Sequence, residues 1–203
     1  MDTAQGSLSL NSKELKMVRV AEHTLTLIHQ HGLEGLTHSR LARAAGVSRP
    51  WIYAYVGKDK SALIALAINH FGRLFSRFDD PPTSADEGSW IRSQVTGLKA
   101  ALDTAEKYPW LMPIYFRYRS TETEIGRSIM NAERLYVRRQ SLELQNALKI
   151  DVKEARVVVE LTTAFKLGLA YRWASTSLSK DISETQVLLL SKSWIKSALK
   201  ARK

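Results

Sequence analysis

The residues best suited to chemistry in this chain lie in one short stretch, "AAGVSRPWIYAYVGKDK" at 44–60. It gathers an arginine, three large aromatic side chains, hydroxyls and two lysines between a glycine and a run of charges. Arginine can donate two hydrogen bonds to guanine, apolar side chains can contact a thymine methyl, and hydroxyls and lysines suit phosphates. These residue types therefore predict recognition of a DNA duplex rather than catalysis.

Two helices are needed to position that stretch, and residues 38–56 have the spacing of a helix-turn-helix. Gly46 can adopt the left-handed conformation that ends one helix and turns the chain. Ser48 is a favourable N-cap for the next helix, and Pro50 in its first turn costs no hydrogen bond. The pattern predicts a short second helix that crosses the first.

The outward face of that second helix is the predicted reading surface. Ile52 and Val56 face the core, so Pro50 and Ala54 form an outward ridge between aromatic shoulders. Arg49 is expected to bind guanine, and Trp51 and Ala54 to contact a thymine methyl. Phosphates are expected to be bound by the hydroxyls and lysines of Thr37, Ser48, Tyr53, Tyr55, Lys58 and Lys60, with Ser39 and Arg40 as secondary candidates. The predicted DNA-contacting residues are Thr37, Ser39, Arg40, Ser48, Arg49, Pro50, Trp51, Tyr53, Ala54, Tyr55, Lys58 and Lys60.

At these positions the chain resembles the TetR (tetracycline-repressor-like) family of transcriptional regulators. The resemblance covers about residues 12–75, and it departs from the family pattern in a turn, "VGKDKSAL", that is one residue longer and in the bulk of Trp51. The matching residues are Thr37, Leu41, Ala42, Ala45, Gly46, Val47, Ser48, Ile52, Tyr53, Tyr55 and Val56. The resemblance implies a homodimer on a double-stranded, quasi-palindromic DNA operator, and a repressor that a small-molecule effector releases from that operator.

The whole chain is predicted to be all-α, because apolar residues recur at three- and four-residue spacing and strand-like alternation never persists. The acidic, proline-containing segment 79–88 is expected to be a polar hinge. Before it we expect a three-helix helix-turn-helix DNA-binding domain at 1–78, with the reading helix at about 48–56 and a linking helix at about 59–78. After it we expect a helical ligand-binding and dimerisation bundle at 89–203.

Several helix starts carry a capping box, in which a small polar residue is followed three positions later by Glu or Gln. We expect these caps to open helices near residues 12, 122, 152 and 184. The pairs are Asn11 with Glu14, Thr121 with Glu124, Asp151 with Glu154, and Ser183 with Gln186.

Aromatic residues cluster at 108–124 in the segment "YPWLMPIYFRYRSTETE". Ordinary bundle core with surface arginines is the favoured interpretation, because aromatics at helical spacing usually pack. The alternative is a pocket wall around a small organic molecule, with an arginine for an acidic group. The candidate ligand-binding residues are Trp110, Met112, Tyr115, Phe116, Arg119, Tyr136, Phe165 and Trp173.

Dimerisation is expected by resemblance, through the helices at about 152–178 and 184–201. In the first of them, Val158, Leu161, Phe165, Leu169 and Trp173 form an apolar stripe, and Ala164, Gly168 and Ala170 would allow close approach.

Composition excludes several classes of protein and of site. The 203 residues include no cysteine, which excludes disulfides and thiolate metal sites, and the net charge of +10 favours a polyanionic partner. No segment approaches the roughly 20 apolar residues of a membrane span, and the N-terminus lacks an apolar leader, so a cytoplasmic protein is expected. The five histidines lack metal-binding spacing. We therefore expect no enzyme, no metal and no cofactor.

Two alternatives of other classes remain open. One is an all-α ligand-carrier or interaction protein whose helix-turn-helix is structural, and the other is a small helical enzyme. Steep salt dependence of duplex binding would distinguish a DNA reader from a carrier.

Overall fold

Every regular element in the described part of the chain is an α-helix, which confirms the all-α prediction. The computed structural model describes residues 12–76, 78, 82, 84–176 and 183–200, without the side chains at 184, 198 and 200. The helices are α1 (Ser12–His31), α2 (His38–Ala45), α3 (Arg49–Tyr55), α4 (Lys60–Ser76), α5 (Glu87–Lys107), α6 (Leu111–Tyr118), α7 (Glu124–Leu148), α8 (Val152–Ser175) and α9 (Glu184–Lys200). None of them is long and apolar enough to cross a bilayer.

Two of the predicted caps open their helices as expected. Asp151 accepts a hydrogen bond from the Lys153 N–H at 2.8 Å at the start of α8. Ser183 and Gln186 form a reciprocal box before α9: the Ser183 N–H donates to the glutamine Oε1 at 2.9 Å, and the Gln186 N–H donates to the serine Oγ at 3.3 Å. The predicted cap Asn11 lies outside the described residues.

The predicted cap of α7 is wrong by two residues. Thr123, not Thr121, accepts the hydrogen bond from the Gly126 N–H, at 3.1 Å. The Thr121 hydroxyl instead donates to the Tyr118 carbonyl at the end of α6 at 2.8 Å, and the Thr121 N–H donates to the same carbonyl at 2.9 Å. Both threonines lie in the five-residue connection 119–123: one bonds to the helix that ends, and the other caps the helix that begins.

The chain divides into two compact units, residues 1–70 and residues 71–203, and the division falls within α4. The predicted domain limits, with a hinge at 79–88, stay a prediction.

The first unit is built on α1, α2 and α3, with α1 packed against α2 and α2 against α3. Leu25 and Ile28 of α1, Leu41 of α2 and Ile52 of α3 are all fully or almost fully buried. Burial of one apolar side chain from so short a helix as α3 fixes which of its faces points outward.

The second unit is a bundle in which α8 packs against α5 and α7, and α9 packs against α5. Trp90 of α5 is completely buried at its centre. The surrounding core cluster contains Ile91, Val137, Leu144, Ala155, Val158, Val159, Ile195 and Leu199.

Candidate nucleic-acid interface and ligand cavity

The turn between α2 and α3 is made by Gly46, whose φ of 63° and ψ of 39° are left-handed. The Gly46 N–H donates to the Arg43 carbonyl at 3.4 Å, and the Val47 N–H donates to the Ala42 carbonyl at 3.1 Å. This pair of bonds is the Schellman motif, which satisfies the last carbonyls of a helix as the chain leaves it. The glycine turn predicted from the sequence is confirmed.

The reading helix α3 is short but held at both ends. The Ser48 Oγ accepts a hydrogen bond from the Trp51 N–H at 3.2 Å, and Pro50 occupies the first turn. At the other end the Val56 N–H donates to the Ile52 carbonyl at 2.8 Å. With Ile52 completely buried, one face of α3 is anchored and the opposite face is left for a partner.

That opposite face presents the side chains that the sequence predicted. Arg49, Pro50 and Ala54 are exposed, Tyr53 is 39% exposed and Tyr55 is 47% exposed. An arginine in the first turn followed by a small-residue ridge is a shape that can enter a major groove.

Trp51 differs from expectation in being half-buried. Its ring centroid lies 5.0 Å from that of Tyr55, and the Lys16 Nζ of α1 lies 5.9 Å from the Trp51 ring centroid. The Lys13 Nζ lies 4.6 Å from the Tyr55 ring centroid. The tryptophan therefore supports the neighbouring tyrosine and the α1 lysines as well as offering apolar surface.

Lys13 and Lys16 were not among the predicted contacts, although they bring two positive charges to the side of α3. The signal in the sequence is their spacing of three residues in the first turns of α1, which places both on one helix face.

Two of the predicted phosphate ligands are helix caps. The Thr37 Oγ1 accepts a hydrogen bond from the Arg40 N–H at 3.3 Å, and Ser48 caps α3 in the same way. Each hydroxyl keeps its own O–H as a donor, so each can cap a helix and donate to a phosphate at once. The Arg40 guanidinium donates to the Gly35 carbonyl at 3.3 Å, which holds it over the connection between α1 and α2.

All twelve predicted contact residues lie in the first unit, and all are exposed except Trp51 and Lys60, which are half-buried. Ser39 lies in the first turn of α2, and Lys58 precedes α4. The role of each residue at DNA stays a prediction.

The second unit contains a cavity of about 580 Å³, within the range of small-molecule sites. Its wall is formed by residues of the last turns of α4 together with α5, α6, α7 and α8. Apolar side chains dominate it, including Phe71, Phe75, Phe78, Ile129, Leu135 and Leu142.

Of the eight candidate ligand-binding residues, Tyr115 and Tyr136 line this cavity. Trp110, Met112 and Trp173 are buried but are not part of its wall.

The other three candidates also lie outside the wall, each with a partner of its own. Phe116 is 49% exposed and meets Tyr171 edge to face, with ring centroids 5.3 Å apart. Phe165 stacks on Trp194 at 4.8 Å. Arg119 donates to Glu133, with its Nε 2.7 Å from the carboxylate Oε2, and Glu133 itself lines the cavity. The predicted arginine therefore neutralises an acid of the wall.

A buried polar cluster forms one side of the cavity, and sequence reasoning missed it. The Lys166 Nζ of α8 donates to the Gln94 Oε1 at 3.0 Å and to the Tyr136 hydroxyl at 2.6 Å. Gln94 donates to the Gln140 Oε1 at 2.6 Å, and Gln140 donates to the Glu143 Oε2 at 2.8 Å.

Burial governs the ionisation of this cluster. It lowers the pKa of the Lys166 ammonium to about 7 and raises the pKa of the Tyr136 hydroxyl above its ordinary range. It also raises the pKa of the Glu143 carboxyl, against the opposing effect of Arg139. The available signal was Lys166 itself, the single charge in the run "LTTAFKLGLA" at 161–170.

Comparison with known proteins identifies the first unit. The family model for bacterial regulatory proteins of the tetR family matches residues 21–66, which contain α2, α3 and the turn between them. The tetracycline repressor proteins of class D, from Escherichia coli, and class H, from Photobacterium damsela subsp. piscicida, are each 27% identical over 113 residues. These matches cover 52% of this chain and only 50% of each repressor.

Solved structures share the fold. A TetR-like transcriptional regulator from Rhodococcus sp. RHA1 has a TM-score of 0.69 and 17% identity, over 95% of this chain and 98% of its own. The fatty acid degradation regulator FadR from Bacillus halodurans has a TM-score of 0.63 and 16% identity, over 89% of this chain and 94% of its own. The chain therefore contains a tetR-family domain at 21–66, and its fold is that of TetR-like regulators.

Proposed function

We propose that this protein is a sequence-specific DNA-binding transcriptional regulator that places α3 in a major groove. The observation that carries the proposal is the Schellman turn at Gly46 followed by a capped helix whose outer face exposes Arg49 and Ala54. Lys13 and Lys16 of α1 and Lys58 before α4 add positive charge in the same unit. Arg49 reads a guanine, and the hydroxyls and lysines bind the flanking phosphates.

We propose further that the protein acts as a homodimer through α8 and α9. Both helices expose large apolar side chains: Val157 and Leu161 of α8 are 56% and 54% exposed, and Leu189 and Leu190 of α9 are 61% and 67% exposed. Stacking of Phe165 on Trp194 joins the two helices, so these exposed residues belong to adjacent elements. A two-fold dimer holds two reading helices about 34–36 Å apart, one turn of DNA, on a quasi-palindromic operator.

The exposed stripe of α8 overlaps only in part with the one that the sequence suggested. Of the predicted residues, Val158 and Trp173 are buried in the bundle and Leu161 is exposed, together with Val157 and Tyr171. A Cβ added at Gly168 would meet no atom within 4 Å, so a small residue lies on an open part of the helix.

The cavity of the second unit is the proposed effector site, and the proposed regulator is a repressor released when the site is filled. Phe71, Gly72, Phe75 and Ser76 of α4 line the cavity, so a bound molecule contacts the helix that begins in the DNA-binding unit. Release requires that the effector bind the DNA-free state more tightly than the DNA-bound state.

Selection of binding sites from a random duplex pool at near-physiological salt tests the DNA-binding function. We expect enrichment of a quasi-palindrome and a steep fall in affinity as salt is raised, because each phosphate contact releases counterions. No enrichment by folded protein, both as purified and after unfolding and refolding to strip any bound ligand, would contradict the proposal and favour a carrier.

A further inference from the structure

Lys166 occupies an unusual environment for an ammonium group. Its side chain lines a mainly apolar cavity, is only 5% exposed, and bonds to two neutral oxygens, those of Gln94 and Tyr136. No carboxylate among the described residues forms an ion pair with it. Burial of an ammonium without a counter-ion costs several kcal/mol, so an anion bound beside Lys166 would offset this cost.

The hydrogen bonds around Lys166 are oriented for a positive charge. Gln94 and Gln140 are aligned head to tail, with their carbonyl oxygens on the lysine side and their amide groups toward Glu143. Such a chain polarises in one direction and stabilises the protonated lysine. An ammonium has three N–H donors, and only two of them have acceptors within the described residues.

Glu133, the acidic residue in the cavity wall, is already paired with Arg119. Glu133 accepts hydrogen bonds from both the Nε and an Nη of Arg119, which is a bidentate pair. Arg138 and Arg139 also line the cavity, and the Arg139 Nε lies 3.7 Å from the Glu143 carboxylate, so Glu133 and Glu143 each have an arginine partner. The electrostatic requirement of the cavity is therefore an anion at Lys166.

We propose that the cavity binds a carboxylate with an apolar body, in which the carboxylate accepts hydrogen bonds from the Lys166 Nζ and the Tyr136 hydroxyl and the body lies among Phe75, Ile129 and Leu142. The proposal rests on the proposed function of the cavity as an effector site. The Tyr136 oxygen accepts from the lysine and its O–H donates to the ligand, so both groups act together. A single buried cation matches a monoanion, whereas a phosphate dianion needs more donors than this cluster offers.

Calorimetric titration of the full chain tests this assignment with two matched pairs of probes: decanoate against decanol, and naphthoate against naphthylmethanol. The members of each pair share an apolar body and differ in the carboxylate. We expect at least one carboxylate to bind about tenfold or more tightly than its neutral match. Equal or weaker binding of both carboxylates, or no binding at all, would overturn the proposal.

The variant Lys166→Met keeps the side-chain length and removes the charge. It should lower carboxylate affinity at least about tenfold and leave the alcohol within about twofold of wild type, because only the charged contact is lost. Lys153→Met on the exposed first turn of the same helix is the matched control and should change neither affinity. Unchanged selectivity for carboxylate in folded Lys166→Met protein would assign the ligand charge to another group and overturn the assignment.

Tyr136→Phe provides a second, milder variant should the methionine variant not fold, since it retains the ring and removes one hydroxyl. A loss of about threefold or more in carboxylate affinity is expected from one hydrogen bond, with no change for the alcohol. Equal losses for both probes would count against the proposed contact. Because these titrations contain no DNA, carboxylate binding together with failed operator selection would reject the regulator function and leave the ligand class standing.

Discussion

Arg49 is the proposed base-reading residue. Its side chain is exposed in the first turn of α3, directly after the Ser48 cap, and its planar guanidinium matches the two acceptors of guanine. Lys58, also exposed, offers a point charge that binds any phosphate equally. Truncation of Arg49 and of Lys58 should therefore change DNA binding in different ways.

Arg49→Ala should lower operator affinity by about 1–3 kcal/mol and relax specificity at one base step, because a bidentate base contact is lost. Lys58→Ala is the matched control: it should weaken binding to all sequences alike and reduce the salt slope by about one. Fluorescence anisotropy on the selected operator and on single-base variants measures both. If Arg49→Ala weakened every sequence equally, the arginine would be a phosphate ligand.

Lys166 makes the stability of the protein depend on pH. Its pKa falls from the ordinary 10.5 to about 7 in the folded state, so between these values the unfolded chain binds the extra proton. Stability should therefore rise as the pH rises from about 7 toward 10.5, with a slope of at most about 1.4 kcal/mol per pH unit. Below about 7 both states carry the proton and this contribution is constant.

Urea unfolding of wild type and Lys166→Met from pH 7 to 9.5 isolates this contribution. The unfolding free energy of the wild type should rise relative to that of the variant as the pH rises, because the methionine variant lacks the charge at every pH. Parallel pH profiles would show that the folded protein does not lower the pKa of Lys166.

At the scale of the element, the sequence predicted best where structure is set by near neighbours. Local interactions determine the turn at Gly46 and the caps at Ser48, Asp151 and Ser183. Each depends on residues within a few positions, so it can be predicted from the sequence. The start of α7 shows where this fails. Two threonines satisfy the same capping preference there, and only their hydrogen bonds in the folded chain assign each to its helix: Thr121 donates to the Tyr118 carbonyl, and Thr123 accepts from the Gly126 N–H.

The left-handed conformation of Gly46 sets the direction in which α3 leaves α2. A Cβ at this position would meet no atom within 4 Å, so any penalty comes from φ alone. Gly46→Ala should therefore destabilise the protein by about 1–2 kcal/mol, the cost of a left-handed residue with a side chain. Gly46→Val should cost more and misorient α3, because a β-branched residue is still less tolerant of positive φ.

Chemical unfolding and operator binding measure the two effects of substitution at Gly46. Gly72→Ala is the matched control, since Gly72 lies inside α4 with open space at its Cβ, and alanine there should stabilise the helix by about 0.5–1 kcal/mol. Wild-type stability and operator affinity in Gly46→Val would contradict the assigned role of the turn.

At the scale of the whole molecule, contacts distant in the chain decide what the sequence could not show. Lys166 is 72 residues from Gln94 and 30 from Tyr136, and neither separation leaves a periodic signal. In the aromatic run at 108–124, Trp110 and Met112 are buried away from the cavity, whereas Tyr115 lines it. Arg119 of this run pairs with Glu133, 14 residues further along the chain. Sequence spacing alone could not show whether this arginine binds a ligand or forms an ion pair.

The proposed dimer involves both units of the chain, because operator recognition requires two α3 helices held at a fixed spacing. Leu161→Glu introduces a charge into the exposed apolar stripe of α8, where burial against a partner would leave it unpaired. It should raise the dimer dissociation constant at least about tenfold, as measured by analytical ultracentrifugation. Leu15→Glu, at a leucine of α1 with similar exposure of 50%, is the control for association and should leave it unchanged.

The same variant should separate the contributions of dimer and monomer at DNA. Affinity of Leu161→Glu for the full operator should fall, because the second half-site loses the effective concentration that the linked subunit provides. Its affinity for an isolated half-site should match that of the wild type, since α3 lies in the other unit and keeps its cap, its turn and its buried Ile52. A variant that stayed dimeric with full operator affinity would place the interface elsewhere, and a monomer that lost half-site binding as well would show that the charge had damaged the fold.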